Sequence, residues 1–189
     1  MIEMFGAQEY VVDFFRVKGG TTHQYVFHAN GTLTGISPAH AAPEPTKLAA
    51  AWELWLKNPR SVIPHEPYTF TWKVDEINFD LMLLNTSDTV DRVIIADAPG
   101  WRKGSPKSEL DKPAIHQILA EKRDVGPVTT QYAALMVPYT TERSPVLSAR
   151  LLENDYRTGA MGIEVRFADR TDYIISTKDQ EVRSYGPVK

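Results

Sequence analysis

The sequence predicts an all-β protein, an antiparallel β-sandwich of about ten or more strands with one short amphipathic helix. Short runs rich in Val, Ile, Phe, Tyr and Thr recur along the chain, and clusters of Gly, Pro, Asn and Asp separate them. These runs do not alternate with helical segments, which argues against a parallel α/β sheet. The chain has 189 residues and no long linker, so we expect a single domain over residues 1–189.

The first predicted element is a β-hairpin over residues 10–33, with Gly19-Gly20 as its two-residue turn. In this register one face of the hairpin is apolar, and it is lined by Val12, Phe14, Tyr25 and Phe27. A sheet with one apolar face needs a second layer to cover it, which favours a sandwich. Asp13 and His28 fall on the opposite face as diagonal neighbours.

A helix is predicted next, over residues 46–57. Thr46 is a suitable N-cap, and Pro59 follows as a stop signal. The apolar side chains at helical spacing are Leu48, Trp52, Trp55 and Leu56. We expect this stripe to pack on the sheet, although two tryptophans on one stripe could instead form a platform for sugar rings.

The remaining apolar runs predict strands at fairly regular intervals. One of them, VIIADA at 93–98, is almost continuously apolar, as expected for a central strand that is covered on both sides. The predicted strands are 32–36, 68–74, 77–84, 89–98, 115–122, 131–137, 146–152, 161–167, 171–177 and 181–185.

The composition excludes several classes of protein. Apolar residues make up 42% and charged residues 24% of the chain, which are values of a folded globular protein. A net charge of −3 lacks the basic excess of a nucleic-acid binder. No cysteine is present, so disulfides and thiolate chemistry are excluded. No apolar run is long enough to cross a membrane, and we expect neither a membrane partner nor a cofactor or metal.

Candidate catalytic residues are few. Asp13 and His28 could be half of a hydrolase triad or of a metal site. No GxSxG, HExxH or HxH motif accompanies them, so we interpret them as a structural pair and keep the hydrolase as the last of the alternatives.

The polar segment that begins at Trp101 is the better candidate for ligand binding. Trp101 can stack on a sugar ring, while Arg102, Lys103 and Lys107 can meet carboxylates or sulfates. The alternative is an ordinary basic surface loop that one partly buried tryptophan anchors.

Residues 10–28 (YVVDFFRVKGGTTHQYVFH) resemble a segment of heparinase II/III-type polysaccharide lyases. In that segment a strand with the pattern V-D-x-F-R-V leads through a Gly-Gly turn to H-x-Y and a following His. Further similarities occur in the same order along the chain. They are the strand around Trp72, ADAPGW at 96–101, ILAEKR at 118–123, MVPY at 136–139 and TDYIIS at 171–176.

The resemblance implies a place in a larger enzyme. In that family a helical toroid precedes an antiparallel β-sandwich, and uronic-acid polysaccharides are cleaved by β-elimination at their junction. The family's catalytic Tyr and His come from the helical domain and from a segment with an HxHxD-like pattern, and no such pattern occurs here, so no catalytic or metal-binding residue is assigned.

The chain is therefore expected to be the non-catalytic C-terminal β-sandwich portion of such a lyase. Its implied partners are an acidic polysaccharide and an N-terminal helical catalytic domain, and its implied location is periplasmic or secreted. The alternative is a free-standing module that binds acidic carbohydrate.

Overall fold

A computed structural model describes residues 9–99 and 113–178, with the backbone alone at 113 and 114. The predicted all-β class is confirmed, with thirteen strands in these residues. The first seven are β1 (Val11–Lys18), β2 (Thr22–Asn30), β3 (Thr32–Ser37), β4 (Glu44–Pro45), β5 (Lys57–Val62), β6 (Tyr68–Val74) and β7 (Ile77–Leu83). The others are β8 (Arg92–Pro99), β9 (Pro113–Arg123), β10 (Thr129–Tyr139), β11 (Ser148–Asp155), β12 (Ala160–Arg166) and β13 (Thr171–Ser176). A helix, α1 (Ala50–Glu53), and a 3-10 turn at Ala39–Ala41 lie between β3 and β5.

The strands form three antiparallel sheets. Sheet A has the order β1-β10-β7-β6-β3, sheet B the order β2-β9-β8-β5-β4, and sheet C the order β11-β12-β13. Sheets A and B face each other across an aromatic core. This core includes Tyr25, Phe27, Phe70, Trp72 and Ile118, and the Phe27 and Phe79 rings stack at 5.9 Å between centroids.

The outer faces of both sheets are covered as well. Sheet C packs Met161, Ile163 and Val165 against the outer face of sheet A, and the residues around α1 pack Leu48 and Leu56 against the outer face of sheet B. In β8, residues 93–96 are at most 1% exposed, with alternate side chains in the two cores. The predicted central strand is thus confirmed.

The predicted hairpin at Gly19-Gly20 is wrong. β1 pairs with β10 in sheet A, whereas β2 pairs with β9 in sheet B. Gly19 and Gly20 therefore form a corner between the sheets, with φ of 90° and 77°. Val128 runs beside this corner, since it accepts a bond from Gly19 N and donates one to Gly20 O, both at 2.9 Å. Positive φ at two glycines suits a corner as well as a tight hairpin, so these residues alone do not decide between the two.

The four side chains of the apolar face predicted for the hairpin therefore lie in two different cores. Val12 and Phe14 pack between sheets A and C, whereas Tyr25 and Phe27 pack between sheets A and B.

The proposed Asp13–His28 pair does not form either. Asp13 Oδ2 accepts a hydrogen bond from the Tyr25 hydroxyl at 3.0 Å, and His28 is exposed on the outer face of sheet B. A hydrolase built on these two residues is therefore not supported by their positions.

The helix is shorter than predicted. It begins after Ala49, because the Thr46 backbone N–H bonds the Pro59 carbonyl at 3.0 Å and so continues the pairing of β4 with β5. Trp52 packs on sheet B as expected, but Trp55 is 65% exposed. The sequence prediction does not include β5, because Pro59 is a strong signal for a break in a strand. In the structure Pro59 lies where the register of β5 with β8 is irregular.

The other predicted strands are found with small shifts at their ends, and β6 matches residues 68–74. The predicted strand at 181–185 lies outside the described residues.

Candidate functional site

The predicted ligand-binding residues Trp101, Arg102, Lys103 and Lys107 lie outside the described residues. The structure does place the two points from which their segment departs. β8 ends at Pro99 and β9 begins at Pro113, and these two residues are register partners. The end of β8 and the start of β9 therefore lie side by side at one end of sheet B.

We call this end the loop end and define it by Pro99, Pro113 and the turn at Gly31. The turn belongs to it because the last residue of β2, Asn30, pairs with Ile115 near the start of β9. The Gly19-Gly20 corner lies at the other end of the same strands.

A polar cluster lies at the loop end on the inner face of sheet B. Asp97 in β8 and His116 in β9 are register partners, so their side chains share a face. Lys57 in β5 is the register partner of Asp97 on the side of β8 away from β9. The next residue, Asn58, therefore lies close to Asp97. Asn58 has φ of 48°, a backbone angle that asparagine adopts more readily than most residues.

Hydrogen bonds give this cluster a defined geometry. The Trp72 indole N–H donates to His116 Nδ1 at 3.2 Å, and Asn58 Nδ2 donates to Asp97 Oδ2 at 2.7 Å. Since Nδ1 accepts, the neutral imidazole carries its proton on Nε2. That nitrogen lies 4.0 Å from Asp97 Oδ1.

The surroundings favour the neutral imidazole. Burial lowers the pKa of His116, the carboxylate of Asp97 opposes that shift, and the guanidinium of Arg60 adds to it. Trp72 is fully buried, so the ring that holds Nδ1 is itself fixed by the core. The side chains of Asp97 and His116 are each 23% exposed.

The tautomer of His116 determines which hydrogen bonds the cluster can make. Nδ1 accepts the indole N–H, and Nε2 bears a proton. His116 in this tautomer therefore has no free lone pair with which to take a proton from a nucleophile. It offers instead a donor at Nε2 beside a carboxylate acceptor. Among the described residues no three His, Asp or Glu side chains come together as a metal site.

A cleft lies at the opposite end of the sandwich. This cleft of about 690 Å³ is bordered by the segment after β3 and the segment before β6. Its lining includes the carboxylates of Glu44, Glu66 and Asp91, and its one arginine, Arg92, is bound to Glu121 at 2.8 Å. Asp91 is paired with Lys122 at 2.7 Å, and Glu66 lies 3.4 Å from His40.

The one histidine that is buried among the described residues has a structural role. His23 is 5% exposed and bonds the Thr130 hydroxyl through Nδ1 at 2.9 Å, while Nε2 contacts the Gly19 carbonyl. It therefore ties β2 to the corner and to β10.

Sequence reasoning missed the Asn58–Asp97–His116 cluster. One signal was present, since Asp97 is the single charged residue in the otherwise apolar run at 93–98. The partner of that strand cannot be read from the sequence, so His116 could not be placed opposite Asp97.

No protein-family model matches this chain, and no curated protein sequence matches it. The described residues contain no helix long and apolar enough to cross a membrane.

Proposed function

We propose that this chain is the non-catalytic C-terminal β-sandwich portion of a heparinase II/III-like lyase, and that its loop end binds the acidic polysaccharide. The observation that carries the proposal is the place of the basic segment in the sequence. Trp101, Arg102, Lys103 and Lys107 lie between β8 and β9, and those two strands also carry Asp97 and His116. We propose that an aromatic ring and three cations act at the same end of the sandwich as the polar cluster.

These groups match what an acidic sugar chain offers. Guanidinium and ammonium groups bind carboxylates and sulfates through charge-assisted hydrogen bonds. An indole covers the apolar face of a sugar ring.

Cleavage itself is assigned to residues outside this chain. In β-elimination a base removes the proton next to the uronate carboxylate, the bond to the leaving oxygen breaks, and an acid protonates that oxygen while a C=C bond forms. A cation or hydrogen-bond donor must also neutralise the carboxylate. The resemblance assigns the catalytic Tyr and His to the preceding helical domain and to an HxHxD-like segment, so we expect binding without turnover.

Binding and turnover are measured together in one set of experiments. The chain is titrated with oligosaccharides of heparin, heparan sulfate and alginate by calorimetry, and the same mixtures are followed by absorbance for the unsaturated product. We expect binding weakened about tenfold in Trp101→Ala and in Arg102→Ala. Lys18→Ala removes the same charge at the corner, far from the loop end, and should leave binding unchanged.

Two results would overturn the proposal. No affinity for any of the three ligands at about 1 mM would remove the binding function. Steady release of unsaturated product by the chain alone would show that the active site lies within it.

A free-standing module that binds acidic carbohydrate is the second candidate, and the same loop end favours it. The gene distinguishes the two candidates. Several hundred codons for helical sequence directly upstream of Met1 would support the lyase, whereas a separate gene would support the module.

A further inference from the structure

We propose that Asn30 is a site of spontaneous deamidation, at which the backbone nitrogen of Gly31 attacks the side-chain amide and ammonia is released. Water is the only co-reactant, and no enzyme takes part. The products are aspartate and isoaspartate at position 30, where β2 of sheet B passes into β3 of sheet A. The inference goes beyond the proposed function and does not rest on it.

The fold keeps the attacking nitrogen close to the carbon that it must reach. The Gly31 backbone N–H donates to Oδ1 of Asn30, with 2.9 Å between nitrogen and oxygen. Cγ is bonded to that oxygen at about 1.2 Å, so it lies no more than about 4 Å from the nitrogen. A reaction within one molecule gains most when its reacting atoms are already held close together.

The two reacting groups are also open to solvent. Asn30 is exposed at the last position of β2. Gly31 carries no side chain that could shield its nitrogen, and its φ of 102° is one that few other residues adopt. Among the asparagines of the chain, Asn30 alone precedes a glycine. Hydroxide can therefore reach the Gly31 N–H and remove its proton.

The other four asparagines are placed differently. Asn58 precedes Pro59, whose nitrogen has no proton to lose. Asn85 is 2% exposed, and its amide makes hydrogen bonds to residues elsewhere in the fold. The amides of Asn78 and Asn154 are each bonded to a residue of another segment. We therefore expect deamidation at position 30 to be the fastest in the chain.

The reaction has two steps that balance with water alone. In the first, hydroxide takes the proton from Gly31 N, this nitrogen forms a bond to Cγ of Asn30, and the bond from Cγ to Nδ2 breaks. Nδ2 takes a proton from water and leaves as ammonia, and a five-membered succinimide ring remains. In the second, water opens the ring. Opening at Cγ gives aspartate, whereas opening at the backbone carbonyl gives isoaspartate, whose main chain contains one more carbon.

Isoaspartate should strain the connection between the two sheets. Asn30 is the register partner of Ile115, and Thr32 is that of Lys73, with Gly31 alone between the two pairs. The additional main-chain carbon must be accommodated between these two fixed points. Space there is short, since a Cβ at Gly31 would lie 2.5 Å from the Lys73 carbonyl oxygen. We therefore expect the isoaspartate form to unfold at a lower temperature than the aspartate form.

The experiment follows every asparagine of the full chain at once. The folded protein is incubated at neutral and at mildly alkaline pH, and peptide mass spectrometry measures the conversion of each amide to an acid over time. We expect conversion at Asn30 to be at least about tenfold faster than at any other asparagine. It should accelerate at the higher pH, because hydroxide removes the proton of the attacking nitrogen.

Two variants at this exposed position serve as controls, and circular dichroism checks that both fold. Asn30→Gln keeps an amide, but its longer side chain would have to close a six-membered ring, so residue 30 should stay unconverted over the same time. Asn30→Asp has the charge of one product on a normal main chain. The isoaspartate form, separated by ion-exchange chromatography, should have a lower thermal midpoint than Asn30→Asp.

Three results would count against the inference. If Asn30 stays intact in the folded chain while it converts in the same chain unfolded in urea, the fold prevents the attack and the proposal is overturned. Conversion at Asn85 as fast as at Asn30 would show that neither exposure nor the neighbouring glycine selects the site. Equal thermal midpoints for the isoaspartate form and Asn30→Asp would overturn the strain expected in the connection.

Discussion

Position 31 requires a glycine, because of both its backbone angle and the atoms that surround it. Its φ is 102°, and a Cβ built there would lie 2.5 Å from the Lys73 carbonyl oxygen and 2.5 Å from Val74 Cγ2. Gly126 differs in both respects, since it has open space around it and no left-handed angle. The two positions therefore make a matched pair of turn glycines.

Gly31→Ala should lower the free energy of unfolding by about 2–4 kcal/mol, because it adds both backbone strain and a clash with backbone atoms. Gly126→Ala should change it by less than about 1 kcal/mol, and the sign can be favourable, because alanine restricts the unfolded chain. Urea unfolding of both variants measures the difference. Equal losses in the two variants would contradict the role of the contact at Gly31.

Glu121 is a second residue with a specific role. It is 1% exposed, and it accepts hydrogen bonds from Gln24 at 2.6 Å, Arg92 at 2.8 Å and Arg123 at 3.0 Å. Burial opposes its ionisation, but the bonds from Arg123, Gln24 and Arg92 outweigh burial and hold the pKa of Glu121 below its usual value. The carboxylate therefore stabilises the folded state above the unfolded pKa of about 4.3 and loses this effect as the pH falls through the folded value.

Glu121→Gln should cost about 1–3 kcal/mol at pH 7, since it leaves two guanidinium groups without their carboxylate. The difference from the unmodified chain should narrow as the pH falls below about 4. Guanidinium chloride unfolding at pH 7 and below about pH 4 measures this difference in the free energy of unfolding. Glu142→Gln alters an exposed carboxylate and serves as the control; a cost for Glu121→Gln that does not change with pH would contradict the role of the charge.

At the scale of elements, the two tryptophans of the predicted helical stripe at α1 have different environments. Trp52 packs with the core on the outer face of sheet B and donates its indole N–H to Gln24 Oε1 at 3.1 Å. Trp55 belongs to the same predicted stripe but projects from the surface. The helix ends after Glu53, and the chain has turned into β5 only four residues later. A helical stripe therefore does not extend to Trp55.

Trp52→Ala should lower the free energy of unfolding by about 2–4 kcal/mol, because it removes a packed ring and a hydrogen bond. Trp55→Ala should change it by no more than about 0.5 kcal/mol, since an exposed ring contributes little to folding. Thermal and urea unfolding of the two variants give both values. A large loss in Trp55→Ala would show that this ring is part of the core.

At the scale of the whole molecule, alternation and apolar runs predict strands well but do not predict their partners. The YTFTWKV and VIIADA runs become β6 and β8, because their patterns report which faces are covered. Gly19-Gly20 fits a hairpin and a corner equally, and the choice depends on β9 and β10. Asp97 and His116 lie together because β8 pairs with β9. The candidate site therefore depends on a strand pairing that no local sequence pattern predicts.

The corner at Gly19-Gly20 also determines when the protein can fold. β1 and β2 do not pair with each other, and their partners β10 and β9 lie in the second half of the chain. During synthesis these first two strands must remain unpaired until that half has emerged, whereas β6 and β7 are joined by a short turn and can pair at once. Contacts between distant segments slow folding, so we expect β6 and β7 to form early and the corner to close last. We therefore expect β1 and β2 to be the last of these strands to join their sheets.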